Sequence, residues 1–344
     1  MNRHFNMFGA DPLYLMDAGT TVGYHKCAAS LGGNGLGDFH GAPFDTTAGP
    51  HGRKNLKDGG SVQISPLKRF LSYGDGAIVG AFVHYPEHSM VKAPEILTRE
   101  DGGTIAYYQI SGKLPGIMFL TGFKSDMTGS KALAMEDLCC RRGQAFIRFD
   151  YFGHGQSSGA FEDGTIGRWK DDAVTVLDQL AEGPQVLVGS SMGGWIMLLT
   201  ALARPERIAG LVGTAAAPDF TEDLMMDEFS DEQKRQLENQ GFTEIPNCYD
   251  DEPYKISKAL MEDGRSHLVL RNEIPLDCPV RLIHGTDDED VPWQTSLTIT
   301  EKIRSKYVET LFVKNGDHRL SEPHDLDRLS RTTERLLDQI EQYA

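Results

Sequence analysis

The stretch that decides the fold is Val186-Leu187-Val188-Gly189-Ser190-Ser191-Met192-Gly193-Gly194-Trp195. It begins with an apolar run typical of a buried strand and ends in a helical pattern, so Ser191 falls in the turn between them. The pattern is Gly-x-Ser-x-Gly, in which the serine occupies a strained turn with its hydroxyl exposed. Gly189 and Gly193 remove the side chains that would clash in such a turn. This context predicts a nucleophilic Ser191; the alternative is an inert serine in a glycine-containing turn.

The chain around this motif, from residue 90 onward, alternates strand-like apolar runs with helical patterns. This alternation predicts an α/β fold, with a mostly parallel sheet flanked by helices. In such a sheet the chemistry lies in the loops at the carboxyl ends of the strands. The predicted strands are 104–110, 116–121, 145–150, 185–189, 208–214, 280–284 and 310–314. The predicted helices are 130–142, 166–180, 192–203, 293–306 and 322–342.

Two segments depart from this alternation. Between about 219 and 270, helical patterns at 221–239 and 253–263 occur without a strand pattern, which predicts a short helical cap inserted over the end of the sheet. Residues 1–89 hold 15 of the 37 glycines, which predicts a weakly ordered N-terminal extension. Either Met90 is the native start or the extension is a genuine tail, and both explanations stay open. The α/β domain is expected to span 90–344.

A serine hydroxyl is a weak nucleophile, so it needs a base within hydrogen-bond reach and a carboxylate that orients the base. Four acids follow a predicted strand in His284-Gly285-Thr286-Asp287-Asp288-Glu289-Asp290-Val291-Pro292. Asp288 is the best candidate because it lies four residues after the histidine and four before the proline. The other three are expected to be solvated loop carboxylates, and His284 is expected to be structural.

The candidate base is His318 in Asn315-Gly316-Asp317-His318-Arg319, a segment that lies between the last predicted strand and the last predicted helix. The chain has 11 histidines, but His318 is the one that occupies this loop. It is far from Ser191 and Asp288 in sequence, so only the fold can bring the three residues together.

A tetrahedral intermediate needs two donors aimed at its charged oxygen. The candidates are the backbone N–H of Met192, which follows the nucleophile, and that of Phe123 in the turn after a predicted strand. The alternative for this turn is that Gly122 serves only the chain reversal. Residues 150–157 match Asp-x-x-Gly-x-Gly-x-Ser and are expected to shape the floor of the site. Within them, His154 either contacts substrate or has a structural role.

The composition excludes several classes of protein. Aspartate and glutamate outnumber lysine and arginine by 50 to 34, and the net charge of −16 disfavours nucleic acid as a partner. No window reaches the roughly 18 consecutive apolar residues of a membrane span. The five cysteines form no zinc pattern and suggest no disulfide framework. Because the N-terminus lacks a secretory signal pattern, we expect a reducing intracellular compartment.

With these motifs, residues from about 100 to 340 resemble the family of the mitochondrial α/β-hydrolase-domain palmitoyl-protein thioesterase and acyl-glucuronide esterase, and its bacterial relatives. Residues 122–126 and 217–220 are closer to the bacterial branch. The resemblance implies an α/β-hydrolase fold with a catalytic triad at Ser191, Asp288 and His318. It is carried by Thr128-Gly129-Ser130-Lys131-Ala132-Leu133, Phe149-Asp150-Tyr151, Gly183-Pro184-Gln185, Ala203-Arg204-Pro205-Glu206, Val291-Pro292-Trp293 and Asp317-His318-Arg319.

The resemblance also implies a serine hydrolase that cleaves acyl esters or thioesters through an acyl-serine intermediate, without a metal or organic cofactor. Its substrate would be a small molecule or an acylated protein. Carboxylesterases, thioesterases, acyl-glucuronide esterases and carbon–carbon bond hydrolases share such a triad, and a catalytically silent binding module is the rival interpretation. The compartment is expected to be the cytoplasm of a bacterium or, from the family, the mitochondrial matrix; the oligomeric state is open. Four apolar residues of the predicted cap either line an acyl channel or pack on the core: Leu224, Met225, Met226 and Phe229.

Overall fold

The structure, a computed structural model, describes residues 93–245 and 253–343. The predicted extension at 1–89 lies outside these residues. The strands are β1 Glu95–Thr98, β2 Thr104–Ile110, β3 Lys113–Leu120, β4 Gln144–Phe149, β5 Gln185–Ser190, β6 Ile208–Thr214, β7 Phe242–Ile245, β8 Tyr254–Ser257, β9 Val280–Gly285 and β10 Val308–Val313. The α-helices are α1 Ser130–Arg142, α2 Ile166–Gln179, α3 Met192–Ala203, α4 Asp231–Gln240, α5 Lys258–Arg265, α6 Gln294–Lys302 and α7 Pro323–Tyr343.

Eight strands form one sheet in the order β1-β2-β4-β3-β5-β6-β9-β10. The six strands from β4 to β10 in this order run parallel, whereas β2 is antiparallel to β4. Alternate residues of a strand face opposite sides, so Val186 and Val188 join one apolar cluster and Leu187 joins the other. The expected mostly parallel sheet flanked by helices is confirmed. None of the described helices is both long and apolar enough to cross a membrane.

All seven predicted strands and all five predicted helices are present, and most differ by a few residues at their ends. The helix predicted at 293–306 ends early, at Lys302. The reason is a parallel bridge between Ile303 and Ile274, which draws the chain into an extended conformation. Strand β1 was missed because three of its four residues are exposed and offer no apolar pattern.

The segment at 219–270 was predicted without a strand, and this prediction is wrong. Besides α4, α5 and a π-helical turn at Thr221–Met226, the segment contains the antiparallel hairpin β7–β8. Thr243 and Ile256 face each other across the hairpin and are fully buried. Each strand thus has a single buried residue, too few to produce a recognisable alternation. Ser257 then caps α5 by accepting a hydrogen bond from Leu260 N–H, which fixes where strand gives way to helix.

Asp219 joins the two ends of this inserted segment, which we define as residues 219–270. Its carboxylate is completely buried and accepts hydrogen bonds from the backbone N–H groups of Val269 and Leu270, at 2.8 and 2.9 Å. Burial raises the pKa of Asp219, and these two hydrogen bonds oppose that shift. These hydrogen bonds therefore hold the first and the last residues of the inserted segment next to each other.

We expect Asp219→Asn to lower the free energy of unfolding by about 1–3 kcal/mol, because the new NH₂ group would face a backbone N–H donor. Asparagine tolerates the φ of 61° at this position, so backbone strain stays the same. Urea denaturation measures the effect. The control is Asp223→Asn, which removes a half-exposed ion pair with Arg271 and should cost about 1 kcal/mol or less. Equal losses in the two variants would contradict the role given to Asp219.

Candidate active site

Ser191 lies in the turn between β5 and α3, with φ 54° and ψ −122°, a conformation that L-residues rarely adopt. The turn is tightly enclosed. A Cβ on Gly193 would lie 2.1 Å from the carbonyl oxygen of Leu120, and one on Gly189 would lie 2.4 Å from the carbonyl oxygen of Gly193. Both glycines are therefore required by close backbone approach, and Ser191 lies at the carboxyl end of the central strands.

The structure brings the three predicted residues together. Ser191 Oγ lies 3.0 Å from His318 Nε2, although 127 positions separate them in the chain. His318 Nδ1 lies 2.9 and 3.1 Å from the two carboxylate oxygens of Asp288. Asp288 follows β9 and His318 follows β10, and these strands are neighbours in the sheet. With Nδ1–H donating to the carboxylate, Nε2 holds the lone pair that can accept a hydrogen bond from the Ser191 hydroxyl.

The side chain of Asp288 is fully buried and held by several donors. Its Oδ1 accepts hydrogen bonds from the backbone N–H groups of Asp290 and Val291, at 3.0 and 2.8 Å, and its Oδ2 lies 3.1 Å from His284 Nε2. Burial alone would raise the pKa of Asp288. The hydrogen bonds from His284 and His318, the charge of His318 and the Val291 N–H outweigh burial and lower this pKa to about 2. Asp288 is therefore ionised near neutral pH.

The other acids of this loop have different surroundings. Asp287 and Glu289 are exposed, in line with the prediction that they are solvated. Asp290 is half-buried and lines the cavity at Ser191. None of these three carboxylates takes the place of Asp288 beside His318.

The two candidate oxyanion donors lie close to Ser191. Met192 is the first residue of α3, where backbone N–H groups have no partner within the helix. Gly122 packs against the turn, since a Cβ built on it would lie 3.4 Å from that of Ser191, and Phe123 follows it. Among the described residues, neither N–H takes part in the hydrogen bonds of turns, loops or helix caps. Both residues line the same cavity as Ser191.

The ring of Phe123 anchors the loop after β3. It makes edge-to-face contacts, at centroid separations of 4.8 to 6.1 Å, with four aromatic side chains: Phe161, Phe220, Trp169 and Tyr254. The next residue, Lys124, places Nζ 5.2 Å from the ring of Phe161 and 5.0 Å from that of Tyr254. Because Tyr254 belongs to β8, the loop and the inserted segment are packed directly together.

A cavity of about 1090 Å³ opens beside Ser191 and His318. Its apolar lining comes mainly from the inserted segment and the residues before it: Ala217, Phe220, Leu224, Met225, Phe229, Ile245 and Tyr254. Its polar lining comes from the loop after β3, the start of α1, the loop after β10 and also the inserted segment: Ser125, Asp126, Ser130, Lys131, Arg319, Ser321, Asp227, Glu228 and Gln233.

Of the four apolar residues singled out in the sequence, Leu224, Met225 and Phe229 line this cavity, whereas Met226 only packs against the core. Met225 and Phe229 also belong to the buried core, so the two roles considered for these side chains coexist.

No role in the site is predicted for Lys131, which lines the polar part of the cavity. Burial and the nearby charge of Arg319 lower the pKa of Lys131 to about 8, although Asp317, Asp325 and Asp288 oppose that shift. Its Nζ donates a hydrogen bond to the carbonyl oxygen of Arg319, and so links α1 to the loop that carries His318. A lysine near a helix start has no distinctive sequence signal, which is why this contact could not be predicted.

His154 lies in the predicted floor segment and is 4% exposed. Its Nδ1 lies 3.1 Å from the carbonyl oxygen of Phe152, and its ring packs edge-to-face against Tyr151, Phe161 and Trp169. Burial lowers its pKa to about 4, in spite of the contact with Phe152. It does not line the cavity at Ser191, so the geometry favours the structural role.

Comparison with known proteins places this chain in a family. A family model described as the alpha/beta hydrolase fold matches residues 131–248. Palmitoyl-protein thioesterase ABHD10, mitochondrial, from Bos taurus is 42% identical, over 71% of this chain and 80% of the relative. The chain belongs to the ABHD10 family of α/β hydrolases. The Homo sapiens ABHD10 is 41% identical over the same shares of the two chains. The α/β-hydrolase fold and a hydrolase function are thereby established.

Solved structures of this family agree with the fold. Mouse ABHD10 has a TM-score of 0.68 and 41% identity, and the match covers 72% of this chain and all of that one. A putative hydrolase from Agrobacterium vitis also has a TM-score of 0.68, with 40% identity, and covers 71% of this chain and 97% of that one. Since the two values are nearly equal, overall similarity does not place this ABHD10-family chain nearer to the bacterial branch.

We expect His154 to make stability depend on pH. Its pKa is about 4 in the folded protein and 6.5 in the unfolded chain, so the unfolded chain takes up the proton first as the pH falls. The free energy of unfolding should therefore decrease by about 2 kcal/mol between pH 7 and pH 5 through this residue.

His154→Phe should flatten this dependence, because the variant keeps an aromatic ring and cannot be protonated. Urea denaturation at pH 7 and pH 5 measures the difference. His324→Phe is the control, since His324 is 69% exposed on α7 and should leave the slope unchanged. An unchanged slope in His154→Phe would show that His154 is not held neutral.

Proposed function

We propose that this protein is a serine hydrolase that cleaves acyl esters or thioesters, with Ser191 as nucleophile, His318 as general base and Asp288 as the orienting carboxylate. The observation that carries the proposal is the 3.0 Å hydrogen bond between Ser191 Oγ and His318 Nε2. The opposite ring nitrogen of His318, Nδ1, faces the buried, ionised carboxylate of Asp288. That negative charge stabilises a protonated His318, so Nε2 is suited to accept a proton.

In the first half of the proposed reaction, Ser191 Oγ attacks the acyl carbonyl carbon while His318 Nε2 takes the hydroxyl proton. The N–H groups of Met192 and Phe123 donate to the oxyanion, and one such donor is worth roughly 3 kcal/mol in the transition state. His318 then gives its proton to the departing alcohol oxygen or thiol sulfur, which leaves the acyl group on Ser191. In the second half, His318 deprotonates a water molecule that attacks this ester, and the proton returns to Ser191.

The cavity supports an acyl substrate. Apolar side chains of the inserted segment, which we propose acts as a cap of the 90–344 domain, would surround the acyl chain beside Ser191. The polar lining near Lys131 and Arg319 would face the leaving group. The ABHD10 relatives are named palmitoyl-protein thioesterases and mitochondrial, and by this resemblance we extend a preference for long acyl chains to this protein.

A fluorophosphonate probe tests the nucleophile, because it labels only activated serines. We expect the wild type to be labelled and Ser191→Ala and His318→Ala to remain unlabelled. The controls are Ser190→Ala, which changes the adjacent serine, and His324→Ala, which changes an exposed histidine; both should keep the label. A folded wild type that resists labelling would instead favour a catalytically silent binding module.

A panel of p-nitrophenyl esters and acyl thioesters of increasing chain length tests the acyl site. We expect Leu224→Trp to lower kcat/KM for long chains by about 10-fold or more while short chains are little affected, because the larger ring would fill the apolar part of the cavity. Met226→Trp is the control, since Met226 lies on the same turn but does not line the cavity. A uniform loss across all chain lengths in Leu224→Trp would contradict this placement of the acyl chain.

A further inference from the structure

A second histidine, besides His318, contacts the Asp288 carboxylate, and both histidines lie within hydrogen-bond distance of Oδ2. His284, in β9, places Nε2 3.1 Å from Asp288 Oδ2 and 3.0 Å from the carbonyl oxygen of Val291. Its Nδ1 lies 2.7 Å from the hydroxyl of Ser296 in α6. His284 and Ser296 are both 0% exposed. We call these two residues the buried Ser296–His284 pair.

The partners of His284 determine where its hydrogen lies. The Asp288 carboxylate and the Val291 carbonyl can only accept hydrogen bonds, so Nε2 must carry the hydrogen. In a neutral ring, Nδ1 then holds a lone pair and accepts the hydrogen of the Ser296 hydroxyl. Both ring nitrogens are thereby satisfied: the two acceptors at Nε2 select the tautomer that donates to Asp288, and the Ser296 hydroxyl complements that tautomer at Nδ1.

The contacts around Asp288 fix the rotation of its carboxylate. Backbone N–H groups of Asp290 and Val291 hold Oδ1, and His284 holds Oδ2. The χ2 torsion of aspartate has only a broad intrinsic preference, so a carboxylate that is held at one oxygen alone can still rotate. With both oxygens held, its plane is set so that both lie within 3.1 Å of His318 Nδ1.

We propose that His284 is a positioning residue for hydrolysis: its Nε2–H holds the Asp288 carboxylate in the orientation that accepts the Nδ1–H of His318, and the Ser296 hydroxyl satisfies the opposite ring nitrogen of His284. This inference rests on the proposed function of the Ser191 site. Asp288 is thus flanked by two serine–histidine pairs. One of them faces the cavity, and the other is enclosed in the protein.

The alternative is that His284 only fills space at the end of β9. An apolar side chain of similar size would then serve equally well, since burying a polar ring brings stability only where its hydrogen bonds are made. The two interpretations differ in what a donor at the Nε2 position should do. If His284 positions Asp288, that donor should control turnover; if it fills space, the donor should be dispensable.

The test compares His284→Gln with His284→Met in the full chain, with a short p-nitrophenyl ester as substrate. Glutamine can place an N–H where His284 Nε2 lies, whereas methionine has similar length and no donor. We expect His284→Met to lose about 10- to 100-fold in kcat with KM nearly unchanged, because misplacement of a catalytic group by about 1 Å can cost 100-fold. His284→Gln should stay within a few-fold of the wild type. Equal kcat values for the two variants would overturn the proposal.

A double-mutant cycle asks whether His284 acts through Asp288. In an Asp288→Ala background, residual turnover should be the same with His, Gln or Met at position 284, because the group to be positioned is gone. If the difference between the Gln and Met variants persists in that background, the proposal is wrong. Should His284→Met fail to fold, His284→Asn replaces it, because its shorter amide does not reach Asp288.

The same assays separate this inference from the proposed function. A folded wild type without esterase activity, or a Ser191→Ala variant that is as active as the wild type, would refute the proposed function. A wild type that is active through Ser191, with equal kcat values for the two His284 variants, would refute the positioning role alone.

Discussion

The candidate active site depends on the close approach of the turn after β5 to the strands on either side of it. On one side, Gly193 packs so near the carbonyl of Leu120 that no side chain fits between them. On the other, Ser191 N–H donates a 2.9 Å hydrogen bond to the carbonyl of Thr214 at the end of β6. The φ of 54° at Ser191 costs conformational free energy. This conformation persists because the contacts with β3 and β6 hold the backbone in place. The central sheet thus imposes the conformation that exposes the Ser191 hydroxyl.

The parts of the site that the sequence predicts are those tied to strand ends. Ser191, Asp288 and His318 each follow an apolar run, and parallel strands bring their carboxyl ends to one edge of the sheet. Long-range proximity is then a consequence of topology, and local motifs suffice to find the residues. The same argument explains why β5, β6 and α3 are predicted to within a residue, since these elements are buried along almost their whole length.

Other features could not be predicted because their determinants are tertiary. The hairpin β7–β8 buries one residue pair, Thr243 and Ile256. Strands of four residues show too little alternation of apolar and polar residues to be recognised in the sequence. The end of α6 is set by a bridge from Ile303 to Ile274, a residue outside the helix. His284 is predicted to be structural, and its burial and hydrogen bonds at the end of β9 agree with that prediction. The proposed positioning of Asp288 would add to this role, and the sequence signal for it is the spacing of four residues between the two.

The backbone and the ring of Phe123 contact different parts of the protein. Its backbone lies in the loop beside Ser191, while its ring meets Tyr254 of the inserted segment. The segment that we propose shapes the acyl end of the cavity is therefore not an exchangeable module. A change of substrate specificity through replacement of the inserted segment would have to keep an aromatic partner for Phe123. Otherwise, the loop after β3 would have to change at the same time. Under the proposed function, substrate range and catalysis would therefore be coupled in this chain and would evolve together.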